Sequence, residues 1–172
     1  LIHCDFGISY LTLNTDTQEL GYILKPGETK APEYLINALK EGNRVQDIFT
    51  NNFVVGVSGN EILKKSLEEG RDEGLRPSIY THPLGTYGHS AGTTIGMWDS
   101  QGGVPFTGDY PLQYNTAYAI ELNTTVYIEE WKKDIRIMLE VPGFFGKDGF
   151  RYIKGRQTEY ILIGPNQEGL TY

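Results

Sequence analysis

Polar and apolar residues alternate in the first segment of the chain, and this pattern predicts a strand over residues 1–12. Successive side chains of a strand point to opposite faces, so His3, Asp5 and Gly7 would share the face opposite Cys4 and Phe6. A second strand is predicted around residues 20–24. It ends at KPGETKAP, whose proline and glycine residues indicate a connection. Asp5 is therefore expected on the polar face of the first strand.

Two helices are predicted next. The first covers residues 33–52, where apolar residues recur at helical spacing. These residues are Leu35, Leu39, Val45, Ile48 and Phe49. Ser58 and Glu61 then have the spacing of a capping box, in which two side chains satisfy free backbone donors at a helix start. The second helix is expected to end near residues 70–74.

The second half of the chain predicts loops and strands. Residues 79–116 are rich in Gly, Pro, Thr and Tyr, which indicates loops that join short strands. Strands are predicted over 117–128, 134–141 and 156–164, and Glu121 lies on the polar face of the first of these. The order of strands, helices and strands predicts an α+β fold with a curved, mainly antiparallel sheet.

Composition narrows the class of protein. With 172 residues, 39% hydrophobic and 12% aromatic, the chain is typical of a globular protein with a single domain, residues 1–172. A formal charge of -7 argues against a nucleic-acid surface, and no apolar run approaches the ~20 residues of a membrane span. Cys4 is the only cysteine, which excludes an internal disulfide and leaves the cellular compartment undecided.

The first residues already have the pattern expected in the middle of a strand, and no initiator methionine or signal peptide precedes them. We therefore expect this chain to be part of a longer protein whose N-terminal portion is missing here. A localisation signal upstream would be lost with that portion.

Acidic residues inside strands are the first candidates for chemistry. Asp5, Glu121 and Glu159 lie within predicted strands, and Asp16 follows the first strand closely. Burying several carboxylates is costly unless their charge is compensated, and a divalent cation is the usual partner for such a group. Each residue taken alone also fits a solvated position on an exposed sheet face.

The stretch DFGISYLTLNTD resembles the first motif of the pita-bread metallopeptidases, the family of methionine aminopeptidases, prolidases and Xaa-Pro aminopeptidases. Asp5 and Asp16 reproduce the spacing of the two aspartates in that motif. GVSGNEI resembles the PGxTGxEI turn of the family, with Val55 in place of the proline. AIELN resembles the strand of the first glutamate ligand, Glu121, and RQTEYILIG resembles the closing strand, whose glutamate would be Glu159.

The histidine ligand has two candidates. GHSAG resembles the GHGIG segment of the family, which favours His89, but HPLG offers His82 in a similar setting. In many relatives a second histidine follows the ligand by about seven positions and contacts the substrate. If His82 were the ligand, His89 would have this spacing.

The second glutamate is ambiguous in a similar way. IRIMLE resembles the RIE segment of prolidases but has Met138 where the glutamate is expected. Glu140 is therefore the weaker candidate, and Glu159 the preferred one.

The resemblance implies a pita-bread fold that holds two divalent metal ions, Mn, Co, Zn or Fe. The ligands would be Asp5, Asp16, His89, Glu121 and Glu159. It also implies catalytic roles for Glu121 and His82 and contacts to a peptide substrate. The substrate contacts would come from His82, Trp98 and Tyr87.

The implied function is hydrolysis of peptide bonds at peptide N-termini, with an Xaa-Pro aminopeptidase or prolidase ahead of a methionine aminopeptidase. Two alternatives stay open. One is a pita-bread module that binds peptides or proteins without catalysis, and the other is an isolated part of an enzyme that needs its N-terminal portion. A homodimer also stays open.

Overall fold

The computed structural model describes residues 1–164, in which the chain forms ten strands and two α-helices. The strands are β1 (Ile2–Phe6), β2 (Ser9–Tyr10), β3 (Leu13–Asn14), β4 (Thr17–Ile23), β5 (Pro77–Ile79), β6 (His82–Pro83), β7 (Thr116–Ile128), β8 (Lys133–Gly146), β9 (Gly149–Tyr152) and β10 (Ile161–Ile163). The helices are α1 (Glu33–Asn51) and α2 (Gly59–Asp72). The last part of the predicted domain, 165–172, lies outside the described residues.

One large sheet organises the fold. Its main path runs β1-β4-β8-β7-β5, while β6 pairs with β7, β9 with β8 and β10 with β4. All of these pairs are antiparallel except that of β10 with β4. The predicted α+β class with a mainly antiparallel sheet is confirmed.

The first predicted strand is wrong beyond Phe6. The chain turns back after β2, and β2 and β3 form a small separate hairpin. Leu11 and Thr12 connect them with φ values of 46° and 71°. Two central residues with positive φ are typical of the tight turn that matches the twist of a hairpin. Alternation continues through such a turn, so the sequence pattern alone did not reveal the reversal.

Both predicted helices are present. α1 covers almost the whole predicted range, and the capping box starts α2 as expected. Ser58 Oγ accepts a hydrogen bond from the Glu61 backbone N–H at 3.2 Å, and Glu61 Oε2 accepts one from the Ser58 N–H at 3.1 Å. These two bonds satisfy donors that the helix itself leaves free.

The hydrophobic core lies between the helices and one face of the sheet. α1 packs against β7 and β8, and Gly42 allows the close approach: a Cβ atom there would lie 2.8 Å from Ile137 Cγ2. Leu139 and Ile137 of β8 and Leu122 of β7 are buried on this face. Because side chains alternate along a strand, Glu140 and Glu121 point to the opposite face. The helices therefore cover one side of the sheet and leave the other for the acidic residues.

Candidate metal centre

Four strands bring polar side chains into one transverse row. In the sheet register Asp5 of β1 pairs with Gln18 of β4, Gln18 pairs with Glu140 of β8, and Glu140 pairs with Glu121 of β7. Directly opposed residues of neighbouring antiparallel strands share a face, so these four side chains line up on the side away from the helices. The register of the sheet, rather than proximity in sequence, creates this cluster.

Asp16 and His82 join the row from its two sides. Asp16 precedes β4 and lies two residues before Gln18, while His82 of β6 pairs with Ala119, two residues before Glu121. The side chain of His82 is 4% exposed, and its Nε2 lies 3.9 Å from Asp16 Oδ2, 3.8 Å from Glu121 Oε2 and 3.7 Å from Glu140 Oε1. This imidazole is thus in the middle of three carboxylates.

The ligating atoms of these residues fall into overlapping groups, each within 4.8 Å. One group contains Asp5, Asp16 and Glu140, and another contains His82, Glu121 and Glu140. Glu140 belongs to both. The two groups together provide four carboxylates and one imidazole, and Glu140 connects them.

Two buried atoms of the cluster have no hydrogen-bond partner among residues 1–164. They are His82 Nε2 and Glu140 Oε1, which face each other at 3.7 Å, too far for a hydrogen bond. Buried polar atoms almost always have partners, because leaving one unsatisfied costs roughly 1–3 kcal/mol. A cation between them would satisfy both atoms.

Burial and repulsion between neighbouring carboxylates make the negative charge of the cluster costly in free energy. Burial, followed by the neighbouring Glu140, raises the pKa of Glu121 to about 8. Burial also raises the pKa of Glu140. Burial acts to lower the pKa of His82, but attraction to Glu140 and the Pro83 carbonyl outweighs it and the pKa is raised. A positive charge next to these groups would therefore stabilise the cluster.

Gln18 is a member of this site that the sequence analysis did not identify. It is buried, and its Nε2 donates to Glu121 Oε1 at 3.0 Å. Its Oε1 lies 2.9 Å from His3 Nε2, so a protonated His3 nitrogen can donate to it. One Glu121 oxygen is therefore occupied by an amide, while the other faces His82. The available signal was its position two residues after Asp16, which places it on the polar face.

His89 lies at the open side of the cluster. Its ring stacks on that of His82, with centroids 3.9 Å apart and planes inclined by 16°. Its Nε2 is 3.7 Å from Asp16 Oδ2, and its side chain is 59% exposed. Tyr80 Oη lies at hydrogen-bonding distance, 3.1 Å, from His89 Nδ1. Both histidines thus approach Asp16, one from the interior and the other from solvent.

Glu159 is not brought to the cluster, in contrast to its predicted place among the ligands. It is exposed and belongs to none of the ligand groups formed by residues 1–164. Instead it lines a cavity beside α1, together with Leu39 and Lys40. The regular strand begins only at Ile161, and Gln157 before it bonds to the backbone of Leu20. Period-two alternation therefore does not hold at Glu159, and Glu140 is the glutamate that joins Glu121 in the ligand groups.

Trp98 and Tyr87, the other predicted substrate contacts, lie on loops after β6. They are 75% and 71% exposed. Within the described part of the chain, the ring contacts of His82 and His89 are to each other and to Tyr80. The aromatic residue that touches the site is therefore Tyr80.

The residues present fit a pair of divalent cations. Carboxylate oxygens with one imidazole suit Mn²⁺, Co²⁺, Fe²⁺ or Zn²⁺. Asp5, Asp16, Glu121 and Glu140 supply four negative charges, which two dications would balance. The unpartnered His82 Nε2 and Glu140 Oε1 give the strongest support for this fit.

Comparison with known proteins gives no match to a family model. No curated protein matches the chain either. Similarity appears among solved structures. An X-Pro aminopeptidase from Thermotoga maritima has a TM-score of 0.67 and 17% identity, over 92% of this chain and 40% of that chain. A methionine aminopeptidase from the same organism has a TM-score of 0.60 and 15% identity, over 87% of this chain and 61% of that chain.

A third similar structure is the N-terminal domain of the FACT complex subunit SPT16 from Eremothecium gossypii. Its TM-score is 0.68 at 10% identity, over 94% of this chain and 36% of that chain. At these identities the similarity defines the fold, and the chain has the pita-bread fold of the aminopeptidases. The chain spans about two fifths of the length of the X-Pro aminopeptidase that it matches.

Proposed function

We propose that the chain carries the metal centre of a dinuclear metallopeptidase that hydrolyses peptide bonds at peptide N-termini. The observation that carries the proposal is the convergence of four carboxylates and one buried imidazole on the free face of the sheet. The similar structures named as aminopeptidases support the reaction class. An Xaa-Pro aminopeptidase or prolidase is preferred to a methionine aminopeptidase, on the motif resemblance.

The proposed ligands are Asp5, Asp16, His82, Glu121 and Glu140. His82 replaces His89 because its Nε2 is buried among three carboxylates, whereas the His89 side chain is 59% exposed. Glu140 replaces Glu159 because it belongs to both sets of converging ligand atoms, the one with Asp5 and Asp16 and the one with His82 and Glu121. A divalent metal pair supplies Lewis acidity and a water made acidic enough to ionise near neutral pH.

The other roles follow from position. Glu121 has one oxygen bonded to Gln18 and the other beside His82, so it stands where a proton could be exchanged with a bound water. His89 takes the substrate contact that was predicted for His82, because it lies at the solvent side of the cluster with Nε2 directed inward. Tyr80 keeps this imidazole oriented.

Metal analysis tests the ligand set. Manganese is added to the purified chain, and the bound metal is counted by mass spectrometry after removal of the excess. Asp16→Ala and His82→Ala should lose most of the bound metal, whereas Glu159→Ala, the matched carboxylate outside the cluster, should retain it. Unchanged metal content in Asp16→Ala would refute the ligand set.

A peptidase assay tests the reaction. Peptides with proline in the second position, and matched peptides with alanine there, are offered to the manganese-loaded chain and to any longer natural polypeptide that contains it. Release of the first residue from the proline peptides supports the proposal. Metal binding with activity only in the longer polypeptide would show that this chain is one part of the enzyme.

A binding module without catalysis is the second candidate function. It is favoured by one observation, the similarity to a structure named as a subunit of the FACT complex. In that case no polypeptide containing the chain would hydrolyse peptides, even with metal added. Failure to bind metal would strengthen this reading.

A further inference from the structure

His3 belongs neither to the proposed ligand set nor to the predicted substrate contacts. Its Nε2 lies 2.9 Å from Gln18 Oε1, and the other end of that amide donates from Nε2 to Glu121 Oε1 at 3.0 Å. We propose that His3 is a positioning residue, which acts through Gln18 to hold the Glu121 carboxylate in the orientation that a metal ligand needs. The role of Glu121 as a ligand rests on the proposed function.

The sheet register explains how a residue of β1 acts on a ligand of β7. His3 pairs with Leu20 and Asp5 pairs with Gln18, so Gln18 is the diagonal neighbour of His3 on the same face. Diagonal neighbours are about 7–8 Å apart, within reach of long side chains. Gln18 then reaches across β8 to Glu121. A chain of two hydrogen bonds therefore joins the edge of the sheet to the centre.

The two neighbours of the Gln18 amide together select one of its orientations. An amide has a donor end and an acceptor end, which exchange places when the group turns over. An ionised carboxylate only accepts hydrogen bonds, so Glu121 needs the Nε2 end. An imidazole Nε2 that carries a proton donates, so His3 needs the Oε1 end. The proposal thus places a proton on Nε2 of His3.

Burial makes this selection matter. Gln18 is only 5% exposed, so its amide has little access to water. Within residues 1–164, His3 Nε2 is the hydrogen-bond partner of Gln18 Oε1. Loss of the imidazole donor would leave a buried acceptor unsatisfied, or would let the amide turn toward the space that the ring vacates. Either change weakens the hold on Glu121.

The geometry of Glu121 shows what is held. Its Oε1 is bonded to Gln18, while its Oε2 faces His82 Nε2 at 3.8 Å. Fixing Oε1 sets the plane of the carboxylate and leaves Oε2 for a metal ion. A residue bonded directly to a metal ligand commonly changes metal affinity by about 10- to 100-fold when it is mutated. His3 is exposed and acts one bond further out, so its effect should be smaller.

Manganese affinity, measured on the purified chain by competition with a chromogenic chelator, tests the proposal. His3→Phe keeps a ring but removes the donor, and it should weaken Mn²⁺ binding by about 2- to 10-fold, the range of one hydrogen bond. His3→Gln keeps an N–H donor and should restore most of the affinity. Cys4→Ala, the adjacent position on the opposite face of β1, is the control and should bind as the wild type does.

A double-mutant cycle separates positioning from a general effect on β1. In the Gln18→Met background, His3→Phe should change the manganese affinity by less than about twofold, because the amide through which His3 acts is gone. An equal effect of His3→Phe in both backgrounds would overturn the proposal.

Hydrogen exchange of the Gln18 side-chain amide gives a measurement without metal. These hydrogens should exchange with solvent faster in His3→Phe than in the wild type, and His3→Gln should restore the slow rate. Unchanged exchange in His3→Phe would also overturn the proposal. Faster exchange in a protein that binds no manganese would leave the positioning of Glu121 standing and remove the metal centre. Manganese binding that does not respond to His3→Phe would do the reverse.

Discussion

Gln18 is a neutral amide in a row of acidic residues. It separates Asp5 from Glu140 in the sheet register and donates a hydrogen bond to Glu121. A carboxylate at position 18 would place a second hydrogen-bond acceptor opposite the Glu121 oxygen. It would also add negative charge to a cluster in which burying charge already costs free energy. The amide therefore orients one ligand without adding negative charge.

Gln18→Glu should destabilise the metal-free protein by about 1–3 kcal/mol, because a buried hydrogen bond is replaced by repulsion. Gln18→Met is the matched control, since it removes the same hydrogen bonds without adding charge, and it should cost less. Urea unfolding at pH 8.5, above the raised pKa of Glu121, measures both variants. Saturating Mn²⁺ should narrow the gap between them, and equal stability under both conditions would contradict the role given to the amide.

The choice between the two histidines shows what residue patterns leave undecided. His82 and His89 both begin segments that resemble the ligand motif, and their spacing fits either assignment. Burial separates them, because β6 places His82 inside the cluster while His89 stays at the surface. Which of two nearby imidazoles becomes buried depends on strand pairing, and the local sequence does not specify it.

The β7–β8 hairpin is the element that carries both glutamates of the centre. Its register pairs Glu121 with Glu140 across the strands. Lys132 in the connection has a φ of 51°, a conformation that costs non-glycine residues free energy. The turn thus fixes the register of the two candidate ligands with a mildly strained residue.

Lys132→Gly should leave the stability unchanged or raise it, by up to about 1 kcal/mol, because glycine adopts positive φ without a Cβ clash. The ion pair between Lys132 and Glu129 is exposed and contributes little. Lys133→Gly, in the adjacent strand residue, should instead destabilise the protein. Thermal unfolding of the two variants provides the measurement, and a clear loss of stability in Lys132→Gly would refute the strain at this turn.

The cap of α2 is a second element with a measurable effect. Ser58→Ala should lower the free energy of unfolding by about 0.5–2 kcal/mol, because the Glu61 N–H loses its acceptor. Ser100→Ala serves as a control, since in the described part of the chain its hydroxyl bonds only to the neighbouring Asp99 side chain. Chemical denaturation should show a change in the first variant and almost none in the second.

Elements differ in how well their sequence predicts them. α1 and the Ser58 cap were predicted because helical spacing and capping chemistry are local. Glu140 was ranked below Glu159 because motif spacing does not reveal which strands pair. Register across β4, β8 and β7 decides that Glu140 joins the centre, and it is set by contacts between residues far apart in the chain.

At the scale of the whole molecule, the sheet divides structural and chemical roles between its faces. One face packs against α1 and forms the core, and the other holds the carboxylates. None of the helices in residues 1–164 is long and apolar enough to cross a membrane. The carboxylates of Glu121 and Glu140 on this second face are largely buried together, so the stability of the cluster depends on charge compensation.

The metal-free protein should lose stability as the pH rises from about 4.5 to about 8. Glu121 has its pKa raised to about 8 in the folded state by burial and by Glu140, so the folded state binds its proton more tightly than the unfolded chain does. Its stabilising contribution is complete below the ordinary value of 4.5 and is lost as the pH passes through the folded value. The raised pKa values of Glu140 and His82 act in the same direction.

Urea unfolding between pH 5 and pH 8.5 measures this dependence. Glu121→Gln should flatten it, whereas Glu159→Gln, an exposed carboxylate outside the cluster, should not. Divalent metal should reverse the trend, since it stabilises the ionised carboxylates. If the free energy of unfolding of the metal-free protein is the same across this range, the cluster carboxylates do not repel one another as expected.

The placement of Asp5 has a consequence for the motions of the protein. Asp5 lies on β1, whose residues are all exposed and which, among residues 1–164, pairs only with β4 at the edge of the sheet. Edge strands with few buried contacts open more easily than the core. Capture of an ion by Asp5 would tie this outermost strand to the interior, so amide hydrogens of β1 should exchange with deuterium more slowly once metal is added, while those of α1 should keep their rates.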